Sequence, residues 1–254
     1  MTARPSMPRK FRADMLLLKK GFCESRGQAA KLILAGQVRI GADHVIKKTS
    51  DMVAEDADVR VISPYPYVSR GAEKLLGGLT AFPWDVTDKT ALDIGASTGG
   101  FTDLLLQRGA RQVYAVDVGY GQLHAKLRQD PRVISLERTN ARHLTAALIP
   151  VNIDLLVGDV SFISLTKVLP PCAPFLAENA RVYILVKPQF EARREDVGKG
   201  GVVRDPAVRQ ACVDKIVAFA RDRLSWALIG VTPSPITGPK GNQETIAVFA
   251  NHPV

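Results

Sequence analysis

A lysine stands at the end of a predicted core strand in the stretch RVYILVKPQF. Residues 182–186 form an unbroken apolar run rich in β-branched side chains, which predicts a strand buried on both faces, and Lys187 follows directly. Lysine is among the residues least often buried, because desolvating its ammonium is costly. A partly desolvated lysine beside another cation has a lowered pKa and can accept a proton or hold an oxygen in line for attack. Pro188 then ends the strand.

Three further ionisable residues could reach Lys187. Asp159 closes the neighbouring strand in VGDVSF, Glu244 opens a late strand in GNQETIAV, and Lys74 lies in YVSRGAEKL at the start of the larger domain. Open α/β sheets bind ligands beyond the carboxyl ends of their strands, so these side chains could share one edge. Taken singly, each residue also has an interpretation that involves no catalysis. Lys74 would be a solvated helix lysine, Asp159 a helix N-cap, Glu244 a charge at the start of a strand, and Lys187 a snorkelling lysine.

A glycine-rich turn connects a strand to a helix in ALDIGASTGGFTDLLLQRG. Gly95, Gly99 and Gly100 let a ligand approach the backbone, Asp93 precedes them, and Asp117 closes the next strand 22 residues after Gly95. The spacing matches neither the G-x-G-x-x-G of dinucleotide sites nor a phosphate loop. A turn that need not hold a pyrophosphate, followed by an acid suited to ribose hydroxyls, favours S-adenosylmethionine over NAD. Tight strand–helix packing is the alternative interpretation.

The elements that must position these residues alternate after residue 71. Short apolar strands are predicted in TALDIG, QVYAVDV, RVISLE, IDLLVGDV and RVYILVK, with two more in SWALIGVTPSP and QETIAVFANH. Helical segments lie between most of them, and a longer amphipathic helix opens at Asp205-Pro206. This alternation predicts an α/β fold with a mostly parallel, doubly wound sheet.

The basic charge is concentrated in the N-terminal part. Residues 1–50 contain eleven Lys/Arg and three Asp/Glu, whereas the remaining 204 residues contain 23 and 22. RADMLLLKKG and ESRGQAAKLILAGQ predict two short helices, the second with Ser25 as its N-cap, and QVRI, HVI and DVRVI predict short strands. Concentrated positive charge on a folded module suits a polyanion. A solvated basic tail is the alternative.

This module resembles the alpha-L RNA-binding motif through R-x-D-x-L-L, S-R-x-x-A-x-x-L-I-x-x-G-x-V-x-I and V-I-K-K. In that family the second helix and the adjoining strand face structured RNA. The resemblance implies RNA contacts by six polar or basic residues, namely Arg12, Ser25, Arg26, Gln28, Lys31 and Arg39. Arginine and lysine neutralise phosphates, while glutamine and serine reach sugars and backbone.

The motifs DIGASTGGFTD, VDVGYGQL and ERTNARHL resemble class I methyltransferases of the FtsJ-like, ribose-methylating branch, which have a Rossmann-like, mostly parallel seven-stranded sheet. The resemblance implies S-adenosylmethionine contacts by Asp93, Gly95, Ala96, Ser97, Thr98, Gly99, Gly100, Phe101, Asp117, Val118, Asn140, Ala141 and Asp159. It also implies that Lys74, Asp159, Lys187 and Glu244 are the catalytic set. In that set Lys187 is the base or orienter, Asp159 and Glu244 hold the lysines, and Lys74 positions the hydroxyl and lowers the pKa of Lys187.

The order of motifs along nearly the whole chain resembles the TlyA family, whose members are named both hemolysins and ribosomal RNA 2′-O-methyltransferases. The resemblance implies methylation of cytidines at the subunit interface, with ribosomal RNA and ribosomal subunits as partners. Because the chain ends ten residues after Glu244, we expect large-subunit RNA alone to be modified. The expected domains are an RNA-binding domain over 1–63, a linker over 64–70 and a methyltransferase domain over 71–254.

Composition disfavours several other classes. No apolar run approaches the roughly 18 residues of a membrane span, and the N-terminus lacks the apolar segment of a secretory signal. Three scattered cysteines suit a reducing cytosol, so we expect a cytoplasmic protein, and four isolated histidines suggest no metal site. The alternatives are a non-catalytic rRNA-binding protein, a membrane-acting cytolysin and a dehydrogenase. The sequence disfavours the cytolysin because it contains no membrane-spanning segment, and the dehydrogenase because its glycine spacing is not that of a dinucleotide site.

Overall fold

The computed structural model divides into two compact units, residues 1–66 and 67–254. It describes residues 9–62, 65–238 and 240–251. Residues 1–8 and Ser63 of the predicted RNA-binding domain, and Pro64 of the predicted linker, lie outside the described residues.

The N-terminal unit packs two short helices on small antiparallel sheets. Its elements are β1 (Lys10–Arg12), α1 (Ala13–Lys19), α2 (Arg26–Leu34), β2 (Val38–Ile40), β3 (His44–Val45), β4 (Met52–Ala54) and β5 (Val59–Val61). The predicted strands form a sheet of order β3-β2-β5, and β1 and β4 form a separate two-stranded sheet. Leu16, Leu17 and Ile33 are fully buried between the helices and sheet, as their helical spacing predicts.

The C-terminal unit alternates strands and helices. Its elements are α3 (Gly71–Ala81), β6 (Thr90–Ile94), α4 (Gly100–Gln107), β7 (Gln112–Val116), α5 (Ala125–Arg128), β8 (Val133–Leu136), β9 (Ile153–Gly158), α6 (Leu165–Cys172), β10 (Leu176–Val186), α7 (Pro188–Glu191), α8 (Pro206–Leu224), β11 (Ala227–Pro233) and β12 (Thr245–Ala250). Short 3₁₀ turns occur at Ala141–His143, Ala173–Phe175 and Arg194–Asp196.

The seven strands of this unit form one sheet of order β11-β12-β10-β9-β6-β7-β8. Strands β8, β7, β6, β9 and β10 run parallel, and β12 is antiparallel to both of its neighbours. The predicted mostly parallel seven-stranded sheet is therefore confirmed. The strand order reverses direction between β6 and β9, and such switch points are where open α/β sheets bind ligands.

Strand β10 differs from the prediction in length. It begins at Leu176 rather than Arg181, and its pairing with β9 is irregular between these two residues, where Asn179 adopts a positive φ. Five residues at its end, from Val182 to Val186, are buried, as the apolar run predicts. Within the described ranges, no helix is both long and apolar enough to cross a bilayer.

Candidate functional site

Lys187 and Asp159 meet at the carboxyl ends of neighbouring parallel strands. Asp159 directly follows β9 and Lys187 directly follows β10, and the pairing of Ile184 with Gly158 brings the two ends together. Lys187 Nζ lies 2.6 Å from Asp159 Oδ1, in an ion pair. The same ammonium donates a hydrogen bond of 2.8 Å to Ser161 Oγ. A strand tip thus holds a lysine that is only 8% exposed against a carboxylate and a hydroxyl.

Lys74 and Glu244 complete the group. Lys74, on the first turn of α3, donates to Glu244 Oε2 at 2.7 Å and to Asp159 Oδ2 at 3.1 Å. Glu244 immediately precedes β12, and its side chain is 1% exposed. Asp159 therefore bridges the two lysines, one on each carboxylate oxygen. We call Lys74, Asp159, Lys187 and Glu244 the ion-pair tetrad; all four predicted catalytic residues lie in it.

The charges of the ion-pair tetrad balance, with two cations and two carboxylates. Burial by itself lowers the pKa of Lys74, but the carboxylates of Asp159 and Glu244 outweigh it, so this pKa lies above its usual value. Lys74 is thus a permanent cation. Among the described residues Lys187 pairs with a single carboxylate, that of Asp159, and donates to the hydroxyl of Ser161, so it is the lysine that can more readily exchange a contact for a substrate hydroxyl.

A cavity of about 510 Å³ opens beside the tetrad at the carboxyl ends of β6, β7 and β9. Seven of the predicted cofactor residues line it, namely Gly95, Ser97, Asp117, Val118, Asn140, Ala141 and Asp159. It adjoins the switch point of the sheet, the place where this fold class binds its ligands. The cavity is large enough for a nucleoside-sized molecule.

The remaining predicted cofactor residues lie elsewhere around the turn. Gly99 faces Leu123 and Leu127, and Gly100 faces residues 69–72. These glycines therefore serve close packing of helix α4, which was the alternative interpretation of the turn. The others outside the cavity lining are Asp93, Ala96, Thr98 and Phe101, of which Asp93, Ala96 and Phe101 are buried.

Backbone amides hold Asp117 at the cavity wall. Its two oxygens accept hydrogen bonds from Ser97 N at 2.8 Å and Gly119 N at 2.7 Å. At Gly95, where φ is +81°, an added Cβ would lie 2.9 Å from the carbonyl oxygen of Asp159. Only glycine fits there, because the turn passes directly against the end of β9. The turn thus brings the wall of the cavity and the ion-pair tetrad into contact.

Sequence reasoning missed several residues that line the cavity and one residue, Ser161, that contacts the tetrad. Ser161 binds Lys187, and the cavity is also lined by Val116, Gln122, Thr139, Val160, Ser161, Phe162, Ile163 and Val168. A signal was available for four of them, because residues 160–163 directly follow Asp159 and so lie at the same strand end. Gln122 and Thr139 gave no comparable signal, since loop paths decide which of their neighbours face a cavity.

Asp93 lies below the turn, fully buried, where Thr102 donates to its Oδ2 from both its backbone nitrogen and its hydroxyl. Its Oδ1 has no hydrogen-bond partner among the described residues. Burial raises the pKa of Asp93 to about 7; the bonds from Thr102 oppose the rise, and the charges of Asp159 and Asp117 add to it. A buried carboxyl group whose pKa lies near neutral pH makes the free energy of unfolding depend on pH.

We expect the free energy of unfolding to fall as the pH rises from about 4 to about 7. In that window the unfolded chain has already lost the Asp93 proton, at its usual pKa of 3.8, while the folded chain still holds it. The loss amounts to roughly 4 kcal/mol at most. Asp93→Asn cannot ionise, so its stability should fall less over the same window. Urea unfolding at a series of pH values measures both proteins, and parallel curves would contradict the expectation.

The six predicted RNA contacts lie in the N-terminal unit, and several have structural partners. Arg12 and Arg26 both donate to the buried carboxylate of Asp14, Arg26 at 2.8 Å. These hydrogen bonds lower the pKa of Asp14 to about 2, and the bond from Arg12 has the larger effect. Ser25 caps α2 by accepting from Gln28 N at 3.2 Å, and Gln28 Oε1 accepts from Glu24 N at 2.9 Å.

These contacts order the first turn of α2 and leave positive charge at the surface. The side chains of Arg12 and Arg26 remain 45% and 59% exposed, and Lys31 is exposed on the same helix. Arg39, on β2, has a buried Nε without a hydrogen-bond partner in the described residues. Guanidinium groups fixed by one carboxylate still present free donors, which suits phosphate contacts.

Comparisons with known proteins agree with this geometry. The profile of the family described as FtsJ-like methyltransferase matches residues 67–251, and that of the S4 domain matches residues 11–59. A relative from Mycobacterium tuberculosis, the 16S/23S rRNA (cytidine-2′-O)-methyltransferase TlyA, is 48% identical over 240 residues, covering 94% of this chain and 89% of the relative. Hemolysin A of Brachyspira hyodysenteriae is 42% identical over 240 residues, covering 94% and 99%.

A solved structure also covers both units. It is a protein of Streptococcus thermophilus with a provisional hemolysin name, and it superposes with a TM-score of 0.72 at 41% identity, covering 96% of this chain and 89% of that one. The similarity therefore extends over the small N-terminal unit as well as the larger α/β unit.

Proposed function

The chain belongs to the TlyA family of FtsJ-like methyltransferases, and from this premise we propose that it methylates the ribose 2′-hydroxyl of cytidine in ribosomal RNA with S-adenosylmethionine as donor. The observation that carries the proposal is the ion-pair tetrad at the edge of the cavity. A ribose hydroxyl is a weak acid, so it needs alignment and a proton acceptor.

The cavity residues fit S-adenosylmethionine. Each oxygen of the Asp117 carboxylate accepts one backbone hydrogen bond and could accept another from a ribose hydroxyl. Asn140 and Ala141 line the part of the wall that would contact adenine, and the turn at Gly95 would leave room for the methionine part of the cofactor. When bound, the cofactor supplies an electrophilic methyl group on a positively charged sulfur. Asp159 lines the cavity and belongs to the tetrad, so it links the cofactor site to the proton-handling lysines.

The two lysines have different roles in the proposal. Lys74 is held charged by two carboxylates and orients the hydroxyl oxygen as a hydrogen-bond donor. Lys187, at the rigid end of β10, positions the same oxygen; once its ammonium has released a proton to solvent, the neutral amine takes the hydroxyl proton during or after attack and becomes an ammonium again, with Asp159 balancing its charge. Most of the protein's contribution is positioning in a water-poor site, because both ammonium groups are nearly buried.

The N-terminal unit supplies RNA binding in the proposal. Its exposed cations, together with its match to the S4 domain, suit a structured RNA. We propose ribosomal subunits as the substrate and the cytoplasm as the place of action. Both subunits belong in every assay, because the Mycobacterium tuberculosis relative is named for both RNAs.

Transfer of labelled methyl groups tests the function. The purified protein is incubated with methyl-labelled S-adenosylmethionine and with each ribosomal subunit from cells lacking the enzyme. Label should enter RNA, and alkaline hydrolysis should release it in a dinucleotide, because a 2′-O-methyl group prevents cleavage of the following phosphodiester. No label in RNA, or label recovered on a base, would refute the proposal.

Asp117→Ala is expected to weaken S-adenosylmethionine binding about 10- to 100-fold, since a hydrogen bond to a charged group contributes roughly 1.5–3 kcal/mol. Asp154→Ala is the matched control, because Asp154 also accepts a backbone hydrogen bond, from Thr90 N at 2.9 Å, but does not line the cavity. Calorimetric titration of both variants measures the dissociation constants. Equal affinities for S-adenosylmethionine in Asp117→Ala and Asp154→Ala would show that Asp117 does not bind the cofactor.

A further inference from the structure

A second cationic surface lies in the C-terminal unit, where the sequence shows no overall excess of positive charge. Residues 198–201 form a tight turn, closed by hydrogen bonds from Gly198 N to Val202 O at 3.1 Å and from Gly201 N to Gly198 O at 3.0 Å. Gly200 and Gly201 have φ values of +83° and +79°, which favour glycine. The exposed Lys199 therefore stands at the tip of a turn built from glycines.

Two further cations flank this turn. A Cβ on Gly198 would lie 3.3 Å from a guanidinium nitrogen of Arg204, and a Cβ on Gly201 would lie 3.8 Å from Nζ of Lys240. Both charged groups thus lie against the glycine backbone. We call Lys199, Arg204, Lys240 and the turn between them the basic turn.

The three cations of the basic turn form no ion pair with another described residue. Two of the three nearest acids in the sequence have other partners: Glu195 lies 3.6 Å from Arg193, and Asp205 caps α8 by accepting from Ala207 N. Asp196 is exposed in the adjoining 3₁₀ turn. Three clustered like charges without paired acids form a site that an anion would stabilise.

A buried asparagine fixes the basic turn to the ion-pair tetrad. Asn242 is 2% exposed; its Oδ1 accepts from Val203 N at 2.9 Å and its Nδ2 donates to Gly201 O at 2.8 Å. Asn242 is two residues before Glu244, and Glu244 leads into β12 beside the end of β10. The turn is therefore held in a defined place next to the catalytic residues.

The strand order places the basic turn across the tetrad from the cofactor cavity. The cavity is built on β6, β7 and β9, whereas the turn is anchored between the end of β10 and the start of β12. A polynucleotide whose ribose reaches Lys187 must leave the site on the side that the cofactor does not occupy. Glycine backbone and three cations line that side.

We propose that the basic turn binds phosphodiester groups of the RNA strand that carries the target ribose. This inference rests on the proposed function and adds to it a substrate contact within the catalytic unit. Ammonium and guanidinium groups recognise phosphate without regard to base, and the absence of side chains at the glycines lets a backbone phosphate come close. The basic turn therefore sets the register of the strand, while base contacts are made elsewhere.

The test compares a triple variant, Lys199→Ala/Arg204→Ala/Lys240→Ala, with a matched one, Lys89→Ala/Arg108→Ala/Arg223→Ala. The second set removes the same charge at the amino-end edge of the sheet: Lys89 precedes β6, Arg108 follows α4 and Arg223 lies in the last turn of α8. Binding to ribosomal subunits and to protein-free ribosomal RNA is measured as a function of salt. The slope of log K against log salt should become shallower by about 2–3 in the first variant, since each lost phosphate contact removes roughly 0.7–0.9.

Steady-state kinetics gives a second readout. The first variant should raise KM for the subunit at least about 10-fold, with kcat, S-adenosylmethionine affinity and thermal midpoint unchanged, and Lys199→Arg/Lys240→Arg should retain binding. Slopes and KM values equal to those of the matched variant would overturn the proposal while leaving the methylation intact. Loss of binding to subunits but not to protein-free RNA would assign the basic turn to a ribosomal protein and equally overturn it.

The outcome for the wild-type protein separates this proposal from the proposed function. If the wild type places no label on ribose but the first variant still loses salt-dependent RNA binding, the function fails and the basic turn stands. If the wild type labels ribose and the two variants behave alike, the function stands and the basic turn fails.

Discussion

Replacing Lys187 by alanine is expected to lower kcat for ribosomal RNA methylation by about 100-fold or more, with little change in S-adenosylmethionine affinity. Removing a positioned proton acceptor typically costs 10²- to 10⁴-fold. Lys187 is held by Asp159 at 2.6 Å and Ser161 at 2.8 Å at the tip of a buried strand, so alanine at this position removes a fixed amine from the site. It does not line the cofactor cavity, which is why cofactor binding should persist.

Single-turnover methylation of the ribosomal subunit measures this effect, with calorimetric titration for the cofactor. Lys126→Ala is the matched control, because Lys126 also pairs with a buried carboxylate, Asp103 at 3.2 Å, but outside the tetrad. Its kcat should equal that of the wild type. An active Lys187→Ala enzyme would show that Lys187 is structural and that the proton leaves by another route.

The second large effect is expected for Asp159→Ala, which should lower both activity and stability. Asp159 is the shared carboxylate of the tetrad, so its removal leaves Lys187 without a charged partner and Lys74 with only Glu244. Breaking a buried ion pair by removing one partner costs about 3–5 kcal/mol, and the 20% exposure of Asp159 places this case near the lower limit. Activity should fall at least as far as in Lys187→Ala.

A double-mutant cycle separates the ion pair from general damage. Asp159→Ala/Lys187→Ala removes one charge of each sign and leaves Lys74 paired with Glu244, so it should be more stable than Asp159→Ala alone. Urea unfolding of the wild type, both single variants and the double variant gives the coupling energy. Additive losses would mean that the two residues do not interact through charge.

The alternation of short apolar strands with helices was enough to predict the mostly parallel sheet, because a buried strand is a short unbroken apolar run and an amphipathic helix repeats its apolar residues every three to four positions. The length of β10 was not predictable, since residues 176–180 are less apolar and pair with β9 only through an irregular register. The pairing of β1 with β4 was also missed. Strands β1 (KFR) and β4 (MVA) contain one β-branched residue between them, whereas the predicted strands β2 (VRI) and β5 (VRV) contain two each, so their strand signal is weaker.

The candidate site was partly predictable for a similar reason. Asp117, Asp159 and Lys187 each follow an apolar strand, and strand ends meet at one edge of a parallel sheet. Gln122 and Thr139 lie on loops whose paths are set by packing, so their positions in the chain do not predict that they face the cavity. The glycine turn illustrates both cases, because Gly95 lines the cavity while Gly99 and Gly100 pack helix α4.

The sequence by itself determined the order of the elements, the basic character of the N-terminal module and the types of residue available for chemistry. Only the tertiary structure decided that Lys74, Asp159, Lys187 and Glu244 share ion pairs, and that Asn242 fixes the basic turn beside them. The physical reason is distance along the chain. Local preferences act over a few residues, whereas Lys74 and Glu244 are 170 residues apart and meet because the sheet brings strand ends together.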